Sequence, residues 1–330
     1  MSAGHGHGHG HSTSTDADQS WLAGALALIV VFMLGEVVVG LISGSLALLS
    51  DAAHMLTDAA SIALALWAIR LAARPAAGRM TYGWKRVEIL SAQANGLTLL
   101  LLAAWLTYEA IRRLLDPPEV AGGVVLVTAL VGIVVNIAAT WMISRANRTS
   151  LNVEGAYQHI LNDLFAFIGT GIAGVVILVT GFDRADAIAT LVVVVLMVRA
   201  GVGLVRASSS IFLEAAPKDL DPTAIGQAMV ARPSVVEVHD LHVWEITSGS
   251  PALSAHVLVQ PDHDCHAVRS DLADMLARDH HIDHTTLQVD HAATGAVQLG
   301  SPHLDQHCEE PHGPTHRASE SAQRESAGDR

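Results

Sequence analysis

Residues 46–69, LALLSDAAHMLTDAASIALALWAI, decide the fold, because an apolar run of this length can cross a bilayer as a helix. Three ionisable side chains, Asp51, His54 and Asp58, interrupt this otherwise hydrocarbon sequence. Ionisable groups inside a membrane span are costly and usually mark a functional site. His54 and Asp58 are four residues apart, so the sequence predicts that they share one face of the helix.

The same H-x-x-x-D spacing recurs in a second apolar run, residues 151–182, as His159 and Asp163. If the two helices are antiparallel, the rise of about 1.5 Å per residue puts both pairs about 12 to 18 Å deep. His54 then lies level with Asp163, and Asp58 lies level with His159. We expect the four side chains to converge near the midplane. Two alternatives stay open: each pair forms only an intrahelical hydrogen bond, or the carboxylates relay protons without a metal.

Two imidazoles and two carboxylates match the tetrahedral nitrogen and oxygen coordination that Zn²⁺ prefers. The two carboxylates also cancel the charge of the ion, which offsets much of the cost of holding it in hydrocarbon. Co²⁺ and Cd²⁺ suit the same donors, whereas Mg²⁺ prefers oxygen ligands alone. The sequence therefore predicts an intramembrane site for Zn²⁺, with Co²⁺ or Cd²⁺ as alternatives.

The composition of the whole chain is that of a polytopic membrane protein, with 51% hydrophobic residues, 15% charged residues and a mean hydropathy of +0.38. Six spans are predicted, at residues 21–43, 46–69, 87–111, 122–144, 151–182 and 187–205. A cleavable signal peptide is the alternative for the first span. An even number of spans puts both termini on one side of the lipid bilayer. The link between the second and third spans holds five Lys/Arg residues, so we expect cytoplasmic termini in a bacterial inner or plasma membrane.

The chain beyond the last span is acidic and polar. Of the charged residues, 12 Lys/Arg and 13 Asp/Glu precede residue 213, and 7 and 19 follow it. This balance argues against nucleic acid as a partner. The apolar periodicity of the chain beyond the last span predicts an αββαβ domain. Its elements are a helix at 222–231, strands at 235–246 and 252–259, a helix at 265–278 and a strand at 286–290. The predicted domains are a disordered His-rich N-terminus (1–20), a transmembrane domain (21–207), this α+β domain (213–292) and a disordered tail (293–330).

Four segments together resemble the cation diffusion facilitator family, in its zinc-transporting branch. They are GSLALLSDAAHMLTDAASI (44–62), YGWKRVEILSAQANG (82–96), the second H-x-x-x-D, and HDLHVWEITSG (239–249). The resemblance implies an all-α six-helix transmembrane domain plus a cytoplasmic copper-chaperone-like domain. It also implies a homodimer that exports zinc in exchange for protons, and it puts His54, Asp58, His159 and Asp163 on the transport-site positions.

The resemblance further suggests a regulatory metal site in the soluble domain. His239, His256, His266 and Asp290 fall on positions that bind metal in some relatives. Gln288 stands where some members have a histidine, which puts full occupancy in doubt. The alternative is that these are solvated histidines on an acidic surface.

Two other functional classes are alternatives to transport. An intramembrane zinc enzyme needs an open coordination position and a general base, and neither H-E-x-x-H nor a spare ligand position is present. A metal-sensing membrane protein would use the same four ligands. Because zinc displaces protons from its ligands, the sequence favours a proton-coupled antiporter, not an enzyme. Glu36, Glu88, Asn95 and Asn136 are interpreted as helix-pairing or ion-pair residues.

Overall fold

The computed structural model describes residues 12–43, 46–116, 122–292 and 313–318. Within these ranges, the side chains of 12–18, 39–40, 43, 46–51, 53–54, 122–125 and 128 lie outside the described residues. The chain forms two compact units, Met1–Ser209 and Ser210–Arg330.

Long helices occupy all six predicted span positions. They are α1 (Ser12–Ser43), α2 (Leu46–Ala72), α3 (Arg86–Leu115), α4 (Gly122–Ser144), α5 (Leu151–Thr180) and α6 (Ala185–Phe212). The ends of α5 are set by local chemistry: the Ser150 side chain accepts a hydrogen bond from the Val153 amide, and Gly181 ends the helix in the left-handed conformation at φ 68°.

Among the described residues, five of these helices, α1, α2, α3, α5 and α6, are long and apolar enough to cross a membrane. The fourth predicted span coincides with α4, a 23-residue helix. Its described apolar stretch, Ala129–Ser144, is shorter than a full span because its first side chains are outside the described set.

The membrane unit packs around two separate apolar clusters. The larger cluster joins α1, α2, α4 and α5 through side chains such as Ile29, Ile62, Ile143 and Ile160. The smaller joins α3 and α6, where Leu99 packs with Met197 and its neighbours. α3 and α6 also approach closely at two glycines: a Cβ on Gly201 would lie 2.9 Å from the carbonyl oxygen of Gly96. Small residues at such crossings let helix backbones pack closely in lipid.

The second unit contains α7 (Pro222–Val230), β1 (Val235–Thr247), β2 (Ser250–Val259), α8 (Cys265–His280), β3 (His284–His291) and β4 (His316–Arg317). β1 pairs antiparallel with β2, and β2 pairs parallel with β3. Both helices begin at an aspartate, Asp221 and Asp264, whose side chain accepts a hydrogen bond from a first-turn amide. Side chains of both helices share one core with the sheet, so the predicted αββαβ order is present.

The sheet has four strands in the order β3-β2-β1-β4, whereas the sequence predicts three strands and no structure after residue 292. The difference arises at the outer edge of β1, which pairs with His316 and Arg317. The Arg317 guanidinium donates to the Glu237 carboxylate at 2.8 Å. His316 is buried beside Gly226 of α7, where a Cβ would lie 2.4 Å from the imidazole ring. This fit requires a glycine at position 226.

An ion pair also connects the turn before β1 to α8. The Arg232 guanidinium donates to the Asp271 carboxylate with its Nε at 2.7 Å. This contact lowers the pKa of the Asp271 carboxyl from its ordinary value, chiefly through the hydrogen bond from Arg232. The pair therefore stabilises the folded unit while Asp271 is ionised.

Candidate metal centre

The two H-x-x-x-D helices, α2 and α5, bring three predicted ligands together. His159 Nε2 lies 3.0 Å from Asp58 Oδ1, which joins α5 to α2. The same Nε2 lies 3.9 Å from Asp163 Oδ2, one turn further along α5. One ligand atom from each of the three residues lies within 4.8 Å of the other two. The sequence argument that put Asp58 level with His159 therefore agrees with the pairing observed.

The three side chains are almost fully enclosed by protein. Asp58 and His159 are each 1% exposed and Asp163 is 5% exposed. Apolar residues of the larger cluster, such as Met55 and Ile160, are neighbours of these ligands along α2 and α5. Two carboxylates beside one imidazole offer up to two negative charges in surroundings where charge is poorly screened. Such a set of donors can hold a cation or protons.

The fourth predicted ligand, His54, has a side chain outside the described residues. Its backbone lies in α2, four residues before Asp58. Asp51 is outside the described side chains for the same reason.

The distances suit a tetrahedral ion. Zinc bonds of about 2.0 to 2.2 Å place neighbouring ligand atoms about 3.3 to 3.6 Å apart. The observed separations of 3.0 Å and 3.9 Å lie on either side of that range. Side-chain shifts of a few tenths of an ångström would bring these two separations into that range.

The polar residues interpreted as helix-pairing contact neighbouring helices or their own helix. Asn95 of α3 accepts a hydrogen bond from Ser61 of α2 at 3.0 Å. Glu88 of α3 accepts one from Ser150, the residue that caps α5. Asn136 instead donates to the carbonyl of Gly132 in its own helix at 3.0 Å.

The predicted soluble-domain site is only partly assembled. His239 and His256 are paired across β1 and β2, with ring centroids 5.5 Å apart. His266 is exposed at the start of α8, and Asp290 accepts a hydrogen bond from Gln288 at 2.9 Å. Within the part of the chain that the structure describes, only the Asp58, His159 and Asp163 group brings three ligand atoms within 4.8 Å.

Two carboxylates that the sequence reasoning missed lie beside these histidines. Glu237 Oε1 is 3.2 Å from His239 Nδ1, and Asp240 Oδ2 is 3.9 Å from His256 Nε2. The position of Glu237, two residues before His239 in one strand, could have indicated the first contact. The second depends on Asp240 adopting φ 52° at an irregularity in the β1–β2 pairing, which the strand pattern does not reveal.

Residues 22–213 match the cation efflux transmembrane domain, and residues 217–292 match the cytoplasmic domain of cation efflux proteins. The chain therefore belongs to the cation efflux family. The protein is thus a cation efflux transporter of the membrane.

Several curated relatives are similar over most of the chain. A metal cation efflux system protein, CzcD of Cupriavidus metallidurans, is 39% identical over 80% of this chain and 84% of its own length. A cadmium, cobalt and zinc/H(+)-K(+) antiporter of Bacillus velezensis is 37% identical over 79% of this chain and 85% of its own. The zinc transporter ZitB of Escherichia coli is 37% identical over 79% and 83%.

A solved structure of the metal-bound C-terminal domain of the CzcD transporter is 33% identical and covers 22% of this chain and 99% of that domain, with a TM-score of 0.21.

Proposed function

We propose that this transporter exports Zn²⁺ from the cytoplasm in exchange for protons, and that Cd²⁺ and Co²⁺ are secondary substrates. The observation that carries the proposal is the buried group in which the His159 imidazole lies 3.0 Å from Asp58 and 3.9 Å from Asp163. The names of similar proteins support the choice of ions, because they include zinc transporters and a cadmium, cobalt and zinc antiporter.

His54, Asp58, His159 and Asp163 are the proposed transport ligands. Zinc binds to neutral imidazoles and ionised carboxylates, so it can bind only after the protons held by these groups leave. Protons in turn displace zinc when the site faces an acidic compartment. Alternating exposure of one site to the two sides then couples outward zinc movement to inward proton movement.

The proposed setting is a bacterial inner membrane, with both termini in the cytoplasm and two copies forming a homodimer. The Lys/Arg residues between α2 and α3 support this orientation, because positively charged links stay in the cytoplasm. The match of residues 217–292 to the cytoplasmic domain of cation efflux proteins supports the placement of the second unit. We further propose that His239, His256, His266 and Asp290 form a regulatory zinc site when their side chains turn toward the ion.

An intramembrane zinc enzyme is the alternative. A catalytic zinc keeps one coordination position for water or substrate. Four protein donors around one ion leave no such position, so the ligand set favours transport of the ion and not catalysis.

Flux into liposomes tests the proposal. The purified protein is reconstituted with a zinc-sensitive dye inside, zinc outside and an acidic lumen. We expect zinc accumulation that collapses when the pH gradient is removed, and no accumulation with His54→Ala combined with His159→Ala. A matched control, His280→Ala combined with His284→Ala, changes two surface histidines and should transport normally. Zinc flux that does not depend on the pH gradient, or that persists in the His54/His159 variant, would overturn the proposal.

A further inference from the structure

A layer of buried polar side chains lies about one helical turn from the metal centre. Ser61 follows Asp58 by three residues on α2, and Gly155 precedes His159 by four residues on α5. Because the two helices are antiparallel, these positions lie on the same side of the centre. Ser61 Oγ donates to Asn95 Oδ1 at 3.0 Å, and this hydrogen bond joins α2 to α3.

The layer is enclosed and incompletely hydrogen-bonded. Ser61 is 6% exposed and Asn95 is 2% exposed. Among the described atoms, Asn95 Nδ2 has no hydrogen-bond partner. A Cβ built on Gly155 would lie 3.4 Å from this nitrogen, so the glycine lets the amide approach α5 closely. Buried amide groups are almost always hydrogen-bonded, so this nitrogen can donate to a polar group that comes within reach when the helices move.

A second polar contact lies one turn further from the centre on the same side. Asn152 Nδ2 donates to the carbonyl oxygen of Ala65 at 2.9 Å, which joins α5 to α2. Its own Oδ1 has no hydrogen-bond partner among the described atoms. Polar groups therefore occupy successive turns between Asp58 and the Ala72 end of α2, the end at which the Lys/Arg-rich link begins.

The Ser61–Asn95 bond also connects the two apolar groups of helices. α2 and α5 belong to the larger cluster, whereas α3 packs with α6 in the smaller one. α3 also packs directly against α2 and α5, but neither Ser61 nor Asn95 belongs to an apolar cluster, so their hydrogen bond can break while both clusters stay packed.

We propose that the Ser61–Asn95 hydrogen bond is a latch that closes the metal centre toward the cytoplasm for most of the time. When the latch opens, Ser61 Oγ and the Asn95 amide offer polar contacts to the entering hydrated divalent cation. This inference rests on the proposed function, because it takes the Ala72 end of α2 as the cytoplasmic end. Asn95 acts here as a positioning residue that sets how often the ligands are accessible.

Zinc transport kinetics test the latch with Ser61→Ala, which removes the donor and little volume. Zinc can bind only to protein in which the latch is open, so the apparent affinity falls as the closed fraction rises. Loss of the latch should therefore lower the KM for cytoplasmic zinc. Interhelical hydrogen bonds in membranes have modest strength, and the expected decrease is about threefold with no rise in kcat. Asn95→Ala should give the same change, and the double variant should give no further decrease. Ser61→Thr keeps the hydroxyl and should restore the parental KM.

The matched control is Ser208→Ala, because Ser208 is also a buried serine, but its hydroxyl donates to Leu204 in its own helix at 2.8 Å. Its KM should stay at the parental value. An unchanged or raised KM in Ser61→Ala, an equal decrease in Ser208→Ala, or additive decreases in the double variant would each overturn the latch. Absence of pH-driven zinc flux in the parent protein would instead contradict the proposed function, so the two failures are distinguishable.

Discussion

Substitution of Asp58 by asparagine removes one charge from the metal centre and nearly preserves its shape. Asp58 is 1% exposed and its Oδ1 lies 3.0 Å from His159 Nε2. The asparagine oxygen can still reach the ion, so the loss of function reports mainly the lost negative charge. Removing one partner of a buried charge pair costs roughly 3 to 5 kcal/mol. If the ion binds through this carboxylate, kcat/KM for zinc should fall by roughly two to three and a half orders of magnitude.

The assay is initial zinc flux into liposomes at a fixed pH gradient, measured over a range of zinc concentrations. Asp186→Asn is the matched control, since Asp186 pairs with Arg113 at 3.3 Å at the start of α6. That pair is partly exposed and away from the centre, so the control should stay within about twofold of the parent, as expected for a surface ion pair. A kcat/KM for Asp58→Asn that matches the control would refute the ligand role of Asp58.

Three further predictions concern the soluble unit, residues 210–330. Saturating zinc should raise its melting temperature by several degrees, and His239→Ala should abolish the rise while His280→Ala keeps it; an unchanged melting temperature in the parent would favour solvated histidines. Gly226→Ala should displace His316 and speed hydrogen exchange at the Ala318 amide, which bonds to Val236 at 3.1 Å; exchange equal to the parent would show that β4 does not depend on this fit. Asp271→Asn should lower the melting temperature at neutral pH, because a carboxyl with a lowered folded-state pKa stabilises the fold only while it is ionised. The difference in melting temperature between parent and variant should vanish as the pH falls through the lowered pKa of Asp271. A difference that persists in acid would contradict the ion-pair explanation.

Sequence periodicity was sufficient to predict the helices because membrane spans and i, i+4 pairs are local features. The positions of Asp58 and His159 followed from helix geometry and an antiparallel arrangement, and the structure pairs them. The αββαβ order followed from the apolar periodicity of residues 222–290, and the structure has that order. The helices and strands are encoded locally, whereas the pairing of Asp58 with His159, 101 positions later, rested on the matched depth of two antiparallel spans.

The features that sequence reasoning missed depend on distant residues. β4 has two residues, and its pairing depends on the edge of β1 and on the space at Gly226. The contact of Asp240 with His256 depends on a left-handed backbone at a strand irregularity. Asn95 was interpreted as a helix-pairing residue, but its partner Ser61 lies 34 positions earlier and could not be identified from spacing.

Competition between zinc and protons for one buried site is the central claim, and proton release on zinc binding tests it most directly. Calorimetric titration of the detergent-purified protein with zinc, in two neutral buffers of different ionisation enthalpy, counts the protons released per ion. The variant with His54→Ala and His159→Ala serves as the reference, because it removes only the membrane site and leaves the soluble-unit histidines. We expect the parent to release at least one more proton per protein than this reference, and more when the pH is lowered into the histidine range near 6.5. An equal count in the two proteins would contradict the account.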